Sequence, residues 1–225
     1  MSLYKYETHL HTSEVSKCGV SSAAELVLYF KKLGYAGIFV TDHFLNVETP
    51  EEKARPWAER INGFCHGYEE AEREGREVGL YVFFGWEYSH GWAHFLTYGL
   101  DKEWLLAHPD LLDLSVLDYF TRVREAGGFV VHAHPFRERV DLVQLMPNHV
   151  DAVEIFNAGR PDDANRHALD YANSFGLLKT AGSDIHSTTR KKLYGMSFPR
   201  RLTDEKDFIA AVKAEEGEIF CDELP

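Results

Sequence analysis

The stretch YKYETHLH, residues 4–11, alternates like a β-strand and ends in two histidines, His9 and His11. In a strand, residues i and i+2 point to the same face, so both imidazoles are predicted to converge at the carboxyl end of a first strand. The stretch GSDIH, residues 182–186, repeats this arrangement with an aspartate and a histidine two residues apart. Together the two stretches indicate a metal-binding centre at the ends of strands.

Apolar runs alternate with helical patterns along the whole chain. This alternation, with short connections, predicts a parallel α/β fold. No Gly-x-Gly-x-x-Gly or Walker pattern is present to serve an open nucleotide-binding sheet, which favours a closed barrel whose strand ends meet at one mouth. No linker or repeat divides the chain, so residues 1–225 are predicted to form a single domain. The predicted strands are 4–11, 37–43, 80–87, 93–98, 129–135, 150–156, 177–181 and 217–220, and the predicted helices are 22–33, 51–77, 111–126, 162–175 and 204–215.

The composition is that of a soluble globular protein, with 44% hydrophobic and 27% charged residues among 225. No apolar run approaches the ~20 residues of a membrane span and no signal peptide opens the chain, so no membrane partner and a cytoplasmic location are expected. The cysteines, Cys18, Cys65 and Cys221, form neither a disulfide framework nor a Cys-x-x-Cys zinc site. The net charge of -12 argues against electrostatic binding of long nucleic acid over a broad surface.

Several other predicted strands also end in side chains that bind metal ions. Their nitrogen and oxygen donors suit zinc, manganese or iron. Unrelated polar residues would not fall repeatedly at the carboxyl edge of successive strands, so the pattern predicts one shared metal centre. The residues are Asp42 and His43, Glu87, His94 and His134, with Glu14 in the loop after the first strand.

In this ordered set the sequence resembles the PHP (polymerase and histidinol phosphatase) superfamily. The resemblance runs from about residue 4 to residue 190, and it is specific for the superfamily but not for any one member. It implies a distorted (β/α)7 barrel of the TIM type, with a trinuclear metal centre at the carboxyl ends of the strands and phosphoesterase chemistry. The matching segments are HLHT (9–12), TDH (41–43), GWE (85–87), AHP (133–135) and GSDIH (182–186).

The resemblance also implies which residues hold two to three divalent ions, of zinc, manganese or iron. In many members one ligand of the third metal is a His or Asp in the loop after the first strand. Here that loop reads TSEVSK (12–17), and Glu14 is the candidate. The first metal would take His9, His11, Glu87 and Asp184, the second would share Glu87 and add His94 and His134, and the third would take His43, His186 and Glu14.

The implied reaction is hydrolysis of a phosphate ester by a metal-activated hydroxide. Divalent cations neutralise the charge of the ester and lower the pKa of bound water to about 7. Glu87, Asp184 and His134 are the residues expected to be catalytic through this centre. Arg137 and Arg160 follow predicted strand ends, and their planar guanidinium groups are expected to bind the phosphate.

Two further residues receive predictions from their positions. Asp42 is expected to orient a ligand imidazole rather than to bind metal itself. His132 is expected to share a strand face with His134 and to be a packed, hydrogen-bonded histidine.

The expected partner is a small phosphorylated substrate, either a phosphomonoester or a nucleotide-like phosphate ester. The acidic balance favours this class over an exonuclease or phosphodiesterase acting on short oligonucleotides, which stays an alternative. An amidohydrolase on a related barrel is another, although the carboxylated lysine usual in such enzymes is missing and Glu87 takes the bridging role. A non-catalytic metal-bound module is the third, and the nearly complete ligand set argues against it.

Overall fold

The computed structural model of the chain describes residues 3–137 and 140–224. The strands are β1 (Tyr4–Glu7), β2 (Gly37–Val40), β3 (Tyr81–His90), β4 (Ala93–Tyr98), β5 (Phe129–Ala133), β6 (Ala152–Asn157), β7 (Leu178–Gly182), β8 (Lys192–Phe198) and β9 (Glu218–Glu223). The helices are α1 (Ala23–Lys32), α2 (Pro50–Lys53), α3 (Trp57–Phe64), α4 (His66–Val78), α5 (Lys102–Leu106), α6 (Val116–Glu125), α7 (Asp162–Phe175) and α8 (Glu205–Lys213).

Strands β1 to β7 follow one another around a nearly closed barrel, each hydrogen-bonded to the next. The closure lies just beyond the ends of β1 and β7, where Leu10 and Ile185 form a parallel bridge. There the His11 amide donates to the Ile185 carbonyl at 2.9 Å, and the Ile185 amide donates to the His9 carbonyl at 3.2 Å. The predicted distorted (β/α)7 barrel is confirmed.

Three strands depart from the parallel arrangement that the strand–helix alternation predicts. Strand β4 pairs antiparallel with both β3 and β5, because the turn at Gly91 joins β3 directly to β4 and a tight turn can only reverse the chain. Strands β8 and β9 pair antiparallel with each other, and β8 also pairs antiparallel with residues Tyr4 to Tyr6 of β1. Sequence patterning missed β8 because Gly195 interrupts it; an added Cβ there would lie 2.4 Å from the Tyr6 carbonyl oxygen.

Alternation along the strands separates an interior face from a helix-covered face. In β3, Phe83 packs in the cluster inside the barrel with Tyr6, Phe39 and Tyr98, whereas Trp86 packs outside with aromatic residues of the surrounding layer. Residues two and four positions after Phe83 therefore also face inward, and Glu87 is one of them. This register carries an acidic side chain to the top of an otherwise apolar barrel interior.

The helices begin and end where local signals place them. Ser22 caps α1 and Glu25 completes a reciprocal capping box, as the predicted start requires. The predicted helix over 51–77 is three helices, with Pro56 at the start of α3. Sequence patterning missed α5, which spans one turn and is capped by Asp101. In the described part of the chain, every helix is too short or too polar to cross a bilayer.

Candidate metal centre

Glu87 lies at the middle of a cluster of histidines at the carboxyl end of the barrel, and its side chain is fully buried. Its carboxylate oxygens lie within 4 Å of five imidazoles, among them His11 at 3.6 Å, and the four closest come from four separate strand ends. The separations are 3.4 Å to His9 Nε2, 2.6 Å to His43 Nδ1, 2.9 Å to His94 Nδ1 and 3.0 Å to His134 Nε2. Such a convergence of ligating atoms on one carboxylate is the arrangement that a bridged metal pair requires.

His9, His11 and Asp184 form a second group beside Glu87. The Nε2 atoms of the two histidines lie 3.1 Å apart, and Asp184 Oδ1 lies 3.6 Å from the first and 3.3 Å from the second. The ligating atoms of these three residues fall within 4.8 Å of one another. The predicted convergence of the His-x-His pair with the later Asp-x-His segment is therefore present in the structure.

His43 and His186 both pack against the His11 ring, with ring centres 4.3 Å and 4.5 Å from it and 6.4 Å from each other. Their ligating atoms and that of His11 fit within the same 4.8 Å limit. Cys18, which sequence analysis did not select, lies at this place too, and its sulfur is 3.1 Å from His186 Nε2. The contacts with His186 and His43 outweigh burial and lower the pKa of the Cys18 thiol to about 6.

Glu14 lies outside this cluster of ligating atoms. Both of its carboxylate oxygens accept a hydrogen bond from the Ala23 amide at 3.0 Å, which places the charge at the start of α1. A negative charge is stabilised there by the helix dipole and by an amide that has no partner within the helix. The structure thus brings together every predicted metal ligand except Glu14.

The two central carboxylates are held in their ionised form. Burial alone would raise the pKa of Glu87, but its histidine neighbours, His94 foremost, hold that pKa well below the usual value. Asp184 behaves in the same way, because His9 and His11 outweigh its burial. Ionised carboxylates are the form that binds metal ions.

The histidines differ in charge according to their neighbours. Burial, with a contribution from His43, lowers the pKa of His11 to about 3, so this ring is neutral and free to ligate. At His9, burial is outweighed by Glu154 and Asp184, which raise its pKa well above the usual value. A proton therefore competes with a metal cation for the His9 ring.

The donor set fits divalent cations on two structural observations. Glu87 Oε2 and His43 Nδ1 are buried and form an ion pair at 2.6 Å, yet neither atom makes a hydrogen bond of regular geometry among the described residues. His134 and Asp184 also have left-handed backbone conformations, with φ of 29° and 51°. Such conformations cost about 1–3 kcal/mol each for residues other than glycine and concentrate at functional sites.

Glu154 is a buried residue of β6 that sequence analysis missed. Its Oε1 lies 2.9 Å from His9 Nδ1, and its Oε2 accepts from the His134 amide at 3.0 Å and from Asn157 Nδ2 at 2.9 Å. Gly182 permits this approach, since an added Cβ would lie 2.6 Å from His9 Cβ and 2.8 Å from Glu154 Oε1. A lone acidic residue within the apolar run AVEIF was the available signal.

The variant Glu154→Gln is expected to weaken metal binding by about 10–100-fold, the usual effect of losing a residue that orients a ligand. If the new amide group faces His9 Nδ1, it favours the tautomer whose proton sits on Nε2, where a metal would bind. If it faces the other way, it opposes the donors of His134 and Asn157. Competition with a chromophoric chelator measures the affinity, and the exposed Glu125→Gln provides the control. Equal affinity in both variants would contradict the assigned role of Glu154.

Asp42 stands behind the ligands, as predicted. It accepts hydrogen bonds from the Thr12 amide at 2.7 Å and from Ser16 Oγ at 2.6 Å, and Ser16 Oγ lies 3.3 Å from His11 Nδ1. Gly67 of α4 packs against Asp42, because a Cβ added at Gly67 would lie 2.9 Å from Asp42 Oδ2. Asp42 therefore positions His11 through Ser16.

The prediction for His132 is wrong in two respects. Its ring packs on Phe95 and meets Tyr171 of α7, so it lies on the outer face of β5 and not towards the mouth. The regular strand ends at Ala133 and His134 turns into the left-handed region, which breaks the two-residue alternation between the two histidines. Neither ring nitrogen of His132 has a hydrogen-bond partner among the described residues, and burial lowers its pKa to about 3.

The two predicted phosphate-binding arginines lie at the rim of the cluster. Arg160 Nη2 donates to Asp184 Oδ2 at 3.1 Å, and its buried Nε has no hydrogen-bond partner within the described residues. Arg137 Nη1 lies 3.1 Å and 3.2 Å from the two ring nitrogens of His94. Both guanidinium groups therefore border the space enclosed by the predicted ligands.

No protein-family model and no curated protein sequence matches the chain. Solved structures share its fold. A two-domain protein from Bacteroides vulgatus that contains a predicted PHP-like metal-dependent phosphoesterase is 16% identical, with a TM-score of 0.73 over 97% of this chain and 65% of that one. This chain thus spans less than two thirds of that protein.

Two further structures extend the comparison. A protein from Bifidobacterium adolescentis described as a metal-dependent phosphoesterase is 18% identical, with a TM-score of 0.57 over 91% of this chain and 94% of that one. An amidohydrolase from Chromobacterium violaceum with bound sulfate and no metal is 15% identical, with a TM-score of 0.55 over 80% of this chain and 87% of that one. At these identities the similarity shows the fold.

Proposed function

We propose that this chain is a metal-dependent phosphoesterase of the PHP type that hydrolyses a small phosphomonoester or a nucleotide-like phosphate ester. The observation that carries the proposal is Glu87, a fully buried carboxylate in contact with four histidines from separate strand ends. Burying an ionised carboxylate among histidines costs folding free energy unless bound cations or protons neutralise its charge. The fold shared with metal-dependent phosphoesterases supports the same reading.

We further propose that two to three divalent ions, of zinc, manganese or iron, bind here. Overlap between the ligating groups supports more than one ion, since His9, His11 and His43 each belong to two groups. Divalent cations bound here would supply neutralisation of the phosphate charge and a lowered pKa for an attacking water.

The chain's own residues would position the reacting groups. Glu154 and Ser16 hold His9 and His11 from behind, so these rings enter the reaction without reorganising. Arg160 offers a buried Nε donor at the rim, where a phosphate oxygen would complete its hydrogen bonding. Exchange of the Arg160 contact from Asp184 to substrate would keep the guanidinium group paired throughout.

A cavity beside the centre supports a small substrate. It has a volume of about 430 Å³, within the ~300–1,000 Å³ of small-molecule pockets, and His43 and Cys18 line one side. Its walls carry both signs of charge, so they would not attract a long polyanion in the way that a nucleic-acid groove does. The charged lining residues are Lys17, Arg55 and Arg60 against Glu14, Glu48, Glu52 and Glu59.

Removal of divalent metal is expected to abolish hydrolysis of a chromogenic phosphomonoester, and manganese or zinc is expected to restore it. In the proposed mechanism the nucleophile is a water activated by the metal centre and not a serine or cysteine side chain, so the reaction requires the metal. The experiment measures the rate before chelation, after chelation and dialysis, and after titration with each metal, with bound metal counted by mass spectrometry.

The same preparation discriminates the alternatives. A phosphodiester, a short oligonucleotide, an amide and a lactone are assayed at equal metal loading. Faster cleavage of the oligonucleotide would favour an exonuclease, and hydrolysis of the amide or lactone with inert phosphate esters would favour an amidohydrolase. Full metal occupancy with no hydrolysis of any of these compounds would support a non-catalytic module.

A further inference from the structure

We propose that Cys18 ligates one metal of the centre through its sulfur, together with His43 and His186, and that this position therefore prefers zinc to manganese. The inference rests on the proposed function in that it concerns the same centre. It replaces the predicted loop ligand, a carboxylate oxygen of Glu14, with a thiolate, and so changes the chemistry of the position.

The geometry brings the three donors together from distant parts of the chain. Cys18 Sγ lies 3.1 Å from His186 Nε2, and His43 is near enough to help lower the pKa of the thiol. Both rings pack against His11 at the mouth of the barrel. A sulfur in contact with one imidazole and beside a second offers a donor set of the type Cys-His-His, which suits a tetrahedral zinc ion with one position open.

Backbone hydrogen bonds fix the loop that carries Cys18. Before the cysteine, the Ser16 amide donates to the Thr12 carbonyl at 3.0 Å, and after it the Gly19 amide donates to the Ser16 carbonyl at 2.8 Å. The Val20 amide then donates to the carbonyl of His186 at 2.8 Å. The loop is thus tied directly to the histidine that its sulfur contacts, which presets the distance between the donors.

A second observation, independent of the cysteine, points to a cation at this place. Glu87 Oε2 is buried and forms an ion pair with His43 Nδ1 at 2.6 Å, but it makes no hydrogen bond of regular geometry within residues 3–137 and 140–224. A buried anionic oxygen without a hydrogen bond is expensive. A cation next to His43 would compensate this oxygen and satisfy the ring nitrogen.

The competing carboxylate of the loop is already engaged. Both oxygens of Glu14 accept from the Ala23 amide at the start of α1, so ligation would require that interaction to break. Cys18 needs no such change, because its sulfur already contacts His186. A thiolate is a softer donor than a carboxylate and selects zinc over manganese, and its binding would release one proton from the thiol to solvent.

Cobalt substitution tests the proposal by spectroscopy and without an activity assay. The wild-type chain loaded with cobalt is expected to show a sulfur-to-cobalt charge-transfer band, which Cys18→Ser loses and Cys221→Ser keeps. Cys221 is an exposed free cysteine on β9 and is the matched control. With zinc, X-ray absorption of the wild type is expected to show a sulfur neighbour at about 2.3 Å, and Cys18→Ser is expected to bind one zinc fewer.

Alkylation provides a measurement that leaves the centre unaltered. In the Cys221→Ser background, Cys18 is the exposed cysteine and Cys65 is buried, so zinc is expected to suppress modification of Cys18 by iodoacetamide while manganese suppresses it less. This result remains available if Cys18→Ser fails to fold.

Several outcomes would overturn the proposal. They are absence of the band in wild type, its persistence in Cys18→Ser, unprotected Cys18 at full zinc loading, or loss of the ion in Glu14→Gln with retention in Cys18→Ser. These measurements test the thiolate ligand independently of the proposed phosphoesterase activity. A chain that shows the sulfur signal but hydrolyses no phosphate ester refutes the function alone, and an active chain without the signal refutes only the thiolate ligand.

Discussion

Glu87→Gln is expected to reduce metal-dependent hydrolysis by more than the ~10–100-fold that loss of a merely orienting residue causes. Glutamine keeps the size of the side chain but removes the negative charge shared by His9, His43, His94 and His134. Its amide group would also point a donor at rings that must offer lone pairs. The measurements are kcat/KM at saturating metal and the number of ions bound per chain.

The control for this variant is Glu77→Gln on α4, whose side chain is 64% exposed. It makes the same chemical change away from the barrel mouth and should leave both quantities unaltered. Retention of the full metal content by Glu87→Gln would remove the basis of the proposed function, because the centre would then not depend on its central carboxylate.

Trp86→Ala is expected to lower the free energy of unfolding by about 3–5 kcal/mol, the usual cost of truncating a buried aromatic residue. The indole is fully buried, packs against Phe44 and Phe84, and donates from Nε1 to Tyr119 Oη at 2.7 Å. Truncation would leave a cavity and remove one partner of a buried hydroxyl. Urea denaturation of the metal-free chain measures the effect, since bound metal would add its own stabilisation.

Trp92→Ala is the matched control, because this indole is 55% exposed. A change within about 0.5 kcal/mol is expected there, as for most surface substitutions. Equal stability of the two variants would mean that the packing around Trp86 contributes little to the barrel.

Residues with a regular spacing in the sequence led to the correct architecture and to most of the site. His9 with His11, and Asp184 with His186, lie at strand ends two residues apart, and the strand period alone brings each pair together. Glu87 follows an apolar run whose alternation places it inside the barrel. These predictions depend on local geometry, and local geometry is what a single sequence carries most directly.

The features that sequence analysis missed depend on contacts between distant segments. Cys18 is selected by its contact with His186, which has no local signature. Glu154 is selected by its contact with His9, and its only local signal is an acidic residue within an apolar run. The position of His132 was misjudged because the backbone leaves the strand conformation at His134. Strand β8 was missed because Gly195 is required by the close approach of β1, which only the folded barrel reveals.

The bridge between Leu10 and Ile185 has a consequence for the order of events during folding. His9 and His11 meet Asp184 only when β7 docks, so the centre depends on contacts of long sequence separation. Such contacts form slowly, because loop-closure entropy opposes them until most of the barrel exists. We therefore expect a growing chain to gain its full affinity for metal only after Asp184 and His186 have been synthesised. An ion bound by these residues would join the two ends of the barrel sheet and slow their separation.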